Sequence, residues 1–240
     1  MILLIEDDPV TGELLQQLFR RLRYPAKRVA TCAEATAHLR AVAVDLIVID
    51  IELPDGNGIA LMEDLHPLPW LRDVPVVFCA GDSTAETLER VLRLGVTDFI
   101  RKPIPVDKMA MRLDRAMERR PKRIPSPRDL LVRHRIDTRR YAQLRDEARE
   151  RLGTLADALD ALTPADPATV AELIAGVCAA CNAFEALRTS AILREVAPGR
   201  EGYDAQTLRD AVRVEISAFD GTTELSEPSA ARLSGVMPAL

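Results

Sequence analysis

The sequence predicts an α/β fold with a five-stranded parallel sheet, followed by an all-α helical-bundle domain. Three observations predict this order. Short aliphatic runs alternate with helix-like patterns through residues 1–119. A stretch rich in proline and arginine interrupts the chain at residues 120–128, and beyond it apolar residues recur at helical spacing only. Five consecutive strand–helix repeats imply parallel strands joined by right-handed crossovers, with helices on both faces of the sheet.

The first domain contains five candidate strands and five candidate helices. The strands are predicted at 2–6, 27–30, 44–49, 75–79 and 97–101. The helices are predicted at 10–23, 33–41, 58–65, 84–94 and 106–119. Uninterrupted aliphatic runs such as Ile2–Ile5 are typical of strands buried on both faces. Asp8 followed by Pro9 indicates a capped helix start, and Pro54–Gly58 indicates a turn after the third strand.

The rest of the chain is predicted to be a linker, a helical domain and a tail. Residues 120–128 form the linker because their three prolines cannot lie within one continuous helix. The helical domain covers 129–220, and 221–240 is predicted to be a flexible tail. The helical domain is predicted to contain one or two helices within 129–162, followed by helices at 168–181, 184–197 and 204–219. An apolar stripe typical of a bundle is formed by Leu144, Ala148, Leu152, Leu155, Leu159 and Leu162.

Charge and composition exclude some classes of protein. The formal net charge is −5, so the whole chain has no bias towards nucleic acid. Residues 101–151 are nevertheless basic, with 17 Lys and Arg against 8 Asp and Glu, which leaves a contact surface or a solvated helix face as interpretations. Because no signal peptide and no membrane-spanning run is visible, we expect a cytoplasmic protein with no membrane partner.

The cysteines give no clear metal or redox motif. Cys178 and Cys181 form a CxxC pair, but no second pair and no histidine follow at zinc-finger spacing. Both lie in an alanine-rich helical pattern, where cysteine behaves as a small apolar residue. We therefore expect them to be core residues.

Acidic residues end two of the buried strands. Glu6, Asp7 and Asp8 end the apolar run of the first strand, and Asp50 follows the third strand. Ligands of open α/β sheets bind beyond the carboxyl ends of the strands, where these acids would meet. Crowded carboxylates favour a hard cation, and Mg²⁺ prefers such oxygen ligands. With Lys102 at the end of the fifth strand, the sequence predicts a site for phosphoryl transfer to a carboxylate.

Residues 1–119 resemble the receiver domain of bacterial two-component response regulators. The resemblance rests on LLIEDDP at 3–9, VIDIELPDGNG at 48–58 and DFIRKPI at 98–104, in that order and spacing. It implies a flavodoxin-like sheet. Its implied site residues are the phosphoacceptor Asp50, the Mg²⁺ ligands Glu6 and Asp7, the Glu52 backbone carbonyl as a further Mg²⁺ ligand, and Lys102 as the phosphoryl contact. For Asp8, capping the first helix is the favoured alternative to metal binding.

One position departs from the pattern of this family. Receivers usually end the fourth strand with Thr or Ser, whereas this chain has Ala80. Phe99 stands where the family carries its switch aromatic, with plain core packing as the alternative. A lost charge-assisted hydrogen bond is worth about 1.5–3 kcal/mol, which is enough to weaken the coupling between phosphate and Phe99. Cys79 is expected to point to the other side of the strand and not to replace the hydroxyl.

The helical domain is faintly similar to a histidine phosphotransfer bundle. That family carries a histidine on an exposed helix, but the corresponding stretch 171–184 contains none. His134, between Arg133 and Arg135 near the linker, does not match the motif. A degenerate bundle of this kind would serve for docking or dimerisation.

The main hypothesis is a response regulator in a two-component phosphorelay. It would take a phosphoryl group from a histidine kinase or histidine phosphotransfer protein and act through protein contacts of its helical domain, with homodimer formation left open. It would not be an enzyme beyond catalysing its own phosphorylation and dephosphorylation. A phosphorylation-independent scaffold is the first alternative. A DNA-binding regulator that uses the basic segment 112–151 is the least favoured.

Overall fold

The chain is described here by a computed structural model. The model describes residues 1–81, 84–104, 106–119, 124–125, 130, 137–161 and 165–221. These residues form two compact units, one of residues 1–39 and 44–119 and one of residues 40–43 and 124–221. Most of the predicted linker, the predicted tail after residue 221, and Arg133, His134 and Arg135 lie outside the described residues.

The first unit is a five-stranded parallel sheet with helices, which confirms the predicted fold class. Its strands are β1 (Ile2–Ile5), β2 (Ala26–Val29), β3 (Leu46–Asp50), β6 (Val76–Ala80) and β7 (Asp98–Arg101). They lie in the order β2-β1-β3-β6-β7. The helices are α1 (Pro9–Arg21), α2 (Cys32–Leu39), α3 (Gly58–Leu65), α4 (Ala85–Arg93) and α5 (Val106–Glu118). Asp8 caps α1 by accepting from the Thr11 backbone N–H at 2.7 Å, as the sequence predicted.

The core explains why these segments form a parallel sheet. Every residue of β1, β3 and β6 is buried, because helices cover the sheet and leave no polar face. One core cluster joins sheet residues such as Leu4, Val48 and Val77 to α1 and α5, which contact each other. The peptide between Lys102 and Pro103, directly after β7, is cis. The buried sheet therefore holds the ends of its strands in fixed positions.

A short hairpin after β3 was not predicted. The sequence indicated only a turn at 54–58, but β4 (Glu52–Leu53) pairs antiparallel with β5 (Gly56–Asn57) around that turn. The pairing is two residues long, too short to produce a strand-like alternation in the sequence. Asn57 then caps α3 by accepting from the backbone N–H groups of Ile59 and Ala60.

The second unit contains four described helices. They are α6 (Thr138–Asp160), α7 (Pro167–Asn182), α8 (Leu187–Glu195) and α9 (Ala205–Gly221). The predicted apolar stripe of α6 is buried from Leu144 to Leu159, whereas Leu162 lies outside the described residues. Helix α7 packs against α6 and α8, and α9 packs against α6 and α8. Phe184 lies edge-on to Tyr141 and to Phe219, with ring centroids 6.2 and 6.0 Å apart.

The start of α8 corrects one predicted boundary. The sequence predicted a helix from residue 184, but α8 begins at Leu187. Glu185 has a φ of 62°, which is left-handed and cannot be part of a right-handed helix. Asp166 caps α7, since its carboxylate accepts from the backbone N–H groups of Ala168 and Thr169. Among the described residues, no helix is both long enough and apolar enough to span a membrane.

Candidate functional site

The predicted acid edge is formed by the ends of two neighbouring strands. β1 and β3 pair in register with Ile5 opposite Ile49, so the next residues, Glu6 and Asp50, lie at the same edge of the sheet. Glu6, Asp7 and Asp50 each offer a carboxylate oxygen, and these oxygens lie within 4.8 Å of one another. Glu6 and Asp50 are only 1% and 7% exposed, whereas Asp7 is open to solvent. Like charges are therefore crowded in a partly buried place.

Lys102 brings a cation to the same edge. It follows β7, and its backbone N–H donates to the Ala80 carbonyl at 2.7 Å. Its Nζ atom lies 2.5 Å from Asp50 Oδ2 and 3.0 Å from Glu6 Oε1. One ammonium group thus contacts two of the three carboxylates.

The pKa values reflect this crowding. Burial raises the pKa of the Glu6 carboxyl, and although the Lys102 hydrogen bond opposes the rise, the Asp50 charge adds to it. Burial lowers the pKa of the Lys102 amino group, but its hydrogen bonds to Asp50 and Glu6 outweigh burial and raise that pKa overall. Lys102 therefore stays protonated at neutral pH, while the ionised form of Glu6 is disfavoured.

The donor set fits a hard divalent cation. Glu6 Oε2 is buried and accepts no hydrogen bond in the part of the chain described, although Lys102 Nζ lies 2.8 Å away as an ion-pair partner. The two facts agree because the ion pair needs only proximity, whereas a hydrogen bond also needs direction. Three carboxylates against one ammonium leave excess negative charge. Mg²⁺ is commonly bound by a few carboxylates together with water molecules and phosphate oxygens.

Comparison with known proteins identifies the domain that carries this edge. The family model for the response regulator receiver domain matches residues 2–114. Residues 2–114 are a response regulator receiver domain. The transcriptional regulatory protein CitT of Halalkalibacterium halodurans is 28% identical over 154 residues, which cover 62% of this chain and 65% of CitT. The histidine-protein kinase BarA of Escherichia coli is 26% identical over 108 residues, which cover 45% of this chain and 12% of BarA.

A solved receiver structure is also similar. The receiver domain of the sensor histidine kinase PA1611 from Pseudomonas aeruginosa, with a magnesium ion in its active site cleft, has a TM-score of 0.46 and 26% identity. The match covers 49% of this chain and 96% of that domain. The chain matches less than two thirds of the length of CitT and of BarA. The 108-residue match to BarA is about as long as the receiver domain, whereas the match to CitT is longer.

The hairpin after β3 positions the remaining predicted metal ligand of the receiver domain. Glu52 begins β4, its side chain is exposed, and its backbone N–H lies 3.3 Å from Asp50 Oδ1. Gly58, at the start of α3, was not predicted as a site residue. A Cβ atom there would lie 2.2 Å from the Asp50 carbonyl oxygen, so only glycine allows this close approach. The signal was present in the turn cluster 54–58.

The structure places Ala80 at the end of β6, in the strand next to Asp50. Ala80 is 3% exposed and its methyl group offers no hydrogen-bond donor. Cys79 belongs to the apolar core, and burial raises the pKa of its thiol to about 12, which keeps it neutral. Phe99 is half-buried in β7, where its backbone N–H donates to Asp98 and its carbonyl accepts from Arg112 at 2.8 Å.

Two further residues near the site make contacts that the sequence did not predict. Arg28 of β2 donates to the backbone carbonyls of Glu6 and Asp7, each at 2.9 Å. Asp55, in the turn of the hairpin, accepts from the backbone N–H groups of Cys32 and Ala33 at 2.7 and 3.0 Å, which caps α2. Both contacts join elements that are far apart in sequence.

The helical unit carries no comparable group of potential metal ligands in the residues described. The only potential metal cluster found in the described chain is the acid edge of the receiver. Cys178 and Cys181 are buried free cysteines, and burial raises the pKa of the Cys181 thiol to about 12. Helix α7 contains no histidine.

Proposed function

We propose that this chain is a two-component response regulator that accepts a phosphoryl group on Asp50 from a phosphohistidine donor. The observation that carries the proposal is the contact of Lys102 Nζ with both Asp50 and Glu6 at the edge where Asp7 also lies. The donor would be a histidine kinase or a histidine phosphotransfer protein. In this proposal the exchange takes place in the cytoplasm, where ATP is available to phosphorylate the donor histidine.

The chain's own groups support this chemistry. An Asp50 carboxylate oxygen forms the bond to phosphorus while the bond from phosphorus to the donor imidazole nitrogen breaks, and that nitrogen takes up a proton. Lys102 faces Asp50 and would pair with the transferred oxygens. Glu6, Asp7, Asp50 and the Glu52 carbonyl would hold Mg²⁺. When bound, Mg²⁺ offsets negative charge on the phosphoryl oxygens. The chain would catalyse only its own phosphorylation and dephosphorylation.

We assign the output to protein contacts of the helical unit. This unit has an apolar core and, in its described part, no group of side chains that could hold a metal ion. Homodimer formation is one form that such contacts would take. Ala80 favours the alternative of a scaffold that works without phosphate, because the hydroxyl that would connect phosphate to Phe99 is absent.

A transcriptional output is a second candidate. It is favoured by CitT, a transcriptional regulatory protein whose match extends over 154 residues. Against it, several basic side chains of α6 are already paired: Arg145 with Asp146 at 2.9 Å, Arg151 with Glu147 at 3.0 Å, and Arg149 with Asp220. Salt-sensitive binding of duplex DNA by the full chain, lost on neutralising Arg139 and Arg140, would support this output.

Intact-mass measurement of the full chain with acetyl phosphate and Mg²⁺ tests the proposal. We expect one phosphoryl adduct that disappears in Asp50→Asn and in the presence of a metal chelator. Asp64→Asn is the matched control, because Asp64 is an exposed carboxylate on α3. Absence of an adduct on the wild-type chain would contradict the proposal. An adduct without any change in assembly by light scattering would separate chemistry from switching and favour the scaffold.

A further inference from the structure

The backbone of the acid loop is held by a side chain from a neighbouring strand. Arg28 lies in β2, which pairs with β1 so that Arg28 is opposite Leu4. Its Nε donates to the Glu6 carbonyl and its guanidinium Nη2 donates to the Asp7 carbonyl, both at 2.9 Å. These are the carbonyls of the two predicted metal ligands that follow β1. A planar guanidinium can hold two neighbouring carbonyls at once, whereas a lysine ammonium cannot match that fork.

We propose that Arg28 is a positioning residue for the Mg²⁺ site and that Gly12 makes room for it. Gly12 is buried in α1, and a Cβ atom there would lie 2.4 Å from Arg28 Nε and 2.6 Å from its Cζ. Glycine in a helix interior is unfavourable compared with alanine. The guanidinium fills the space beside Gly12. The two residues therefore act together to hold the loop between β1 and α1.

The sign of the change in Mg²⁺ affinity distinguishes an effect of the Arg28 charge from an effect of its hydrogen bonds. Arg28 brings a positive charge to the backbone of the Mg²⁺-binding loop, and simple repulsion of Mg²⁺ would make its removal favour metal binding. Loss of the two hydrogen bonds would instead loosen the backbone of Glu6 and Asp7 and disfavour binding. Removing a group that orients a metal ligand typically weakens metal binding by roughly 10- to 100-fold. Geometry should therefore outweigh charge at this position.

The inference rests on the proposed function, because it assumes that the acid edge binds Mg²⁺. Four variants of the full chain test it: Arg28→Met, Arg28→Lys, Gly12→Ala and the double variant of Gly12→Ala with Arg28→Met. The methyl group at residue 12 would meet the end of a flexible side chain, so Gly12→Ala should displace the guanidinium and leave the fold intact. Lys27→Met is the matched control, since Lys27 is the exposed neighbour on the same strand and also loses one positive charge.

Calorimetric titration with MgCl₂ gives the affinity, and urea unfolding with and without Mg²⁺ gives the stabilisation due to the metal. We expect about tenfold weaker Mg²⁺ binding for Arg28→Met, Arg28→Lys and Gly12→Ala. The double variant should be no worse than Arg28→Met, because both changes remove one interaction. Lys27→Met should bind like wild type.

Three results would overturn the inference: Arg28→Met binding Mg²⁺ as tightly as wild type or more tightly, additive losses in the double variant, or lower metal-free stability with unchanged Mg²⁺ affinity. The last result would show a merely structural role. If the wild-type chain itself binds no Mg²⁺, the proposed function fails first, and the inference fails with it.

Discussion

Each unit buries a carboxylate almost completely, yet the two carboxylates have opposite surroundings. In the helical unit, Glu215 of α9 is fully buried and accepts a hydrogen bond from Thr189 of α8 at 2.7 Å. In the receiver, Glu6 is 1% exposed, lies beside two more carboxylates, and has one oxygen that accepts no hydrogen bond among the described residues. Glu215 receives a hydrogen bond from within its own unit, whereas Glu6 shares the single Lys102 ammonium with Asp50 and lies beside a third carboxylate.

This difference separates a polar group that stabilises a fold from one that binds a ligand. A buried charge is costly unless partners compensate it, so a fold that compensates such a charge only in part is stabilised by a cation that binds there. Thr189 and Glu215 join two helices and leave little for a ligand to add. Glu6, Asp7 and Asp50 meet at the edge of a sheet where one of them is open to solvent.

The largest expected effect is on the reaction at the receiver edge. Lys102→Met removes the only described cation in contact with Asp50 and Glu6. We expect phosphorylation by acetyl phosphate at saturating Mg²⁺ to slow by about 100-fold, because loss of a preorganised electrostatic contact typically costs that much. Mg²⁺ binding should persist, since the carboxylates remain. Intact mass against time measures the rate, with exposed Lys108→Met as control; an unchanged rate would remove Lys102 from the mechanism.

The next largest effect is on the stability of the helical unit. Thr189→Val leaves the buried Glu215 carboxylate without its hydroxyl donor, so we expect a loss of about 1.5–3 kcal/mol in the free energy of unfolding of the helical unit. Urea unfolding followed by circular dichroism measures it. Thr154→Val is the control, because Thr154 is exposed on α6. The single tryptophan, Trp70, is buried in the receiver, so its fluorescence should not report this loss. Stability equal to wild type would mean that Glu215 is held by other contacts.

A smaller effect concerns pH and Glu6. Its pKa is raised in the folded receiver above the ordinary 4.5, so the folded chain binds more protons than the unfolded chain between those two pKa values. Stability without Mg²⁺ should therefore fall as pH rises through that window, by at most about 1.4 kcal/mol per pH unit, and stay lower above it.

Glu6→Gln, which resembles the protonated side chain, should not show this fall. It should be more stable than wild type at neutral pH without metal, yet gain less from Mg²⁺. Urea unfolding followed by Trp70 fluorescence at several pH values measures the stability of the wild type and of Glu6→Gln. Parallel pH profiles would show that burial of Glu6 carries no charge penalty, and the contrast with Glu215 would then disappear.

The sequence predicted most of the sheet and the acids because both depend on local patterns. Continuous aliphatic runs determine buried parallel strands, and residues that end such strands must meet at one edge. Arg28 and Gly12 could not be predicted in this way, because their contact joins β2 to α1 and leaves no periodicity in either segment. The pair of Thr189 and Glu215 is similar, since it depends on how α8 and α9 pack. The α8 boundary was missed because one residue, Glu185, adopts a left-handed conformation.

The smallest expected effect compares two helix caps, one in each unit. Asp55 caps α2 and Asp166 caps α7, and each accepts from two backbone N–H groups. The backbone N–H of Cys32 lowers the pKa of Asp55, and hydrogen bonds from Thr169 lower that of Asp166. Each cap therefore adds stability above the unfolded pKa that is lost as pH falls through the lowered folded value.

Asp55→Ala and Asp166→Ala should each lower the urea midpoint of their own unit slightly, and the loss should vanish at acid pH. Only Asp55→Ala should also weaken Mg²⁺ binding, because its hairpin carries Glu52 directly after Asp50. Titration of both variants with MgCl₂ makes the comparison within one chain. If Asp55→Ala binds Mg²⁺ as wild type does, the hairpin is held by β4–β5 pairing and Gly58 alone. The cap on α2 would then serve stability only, as the cap on α7 does.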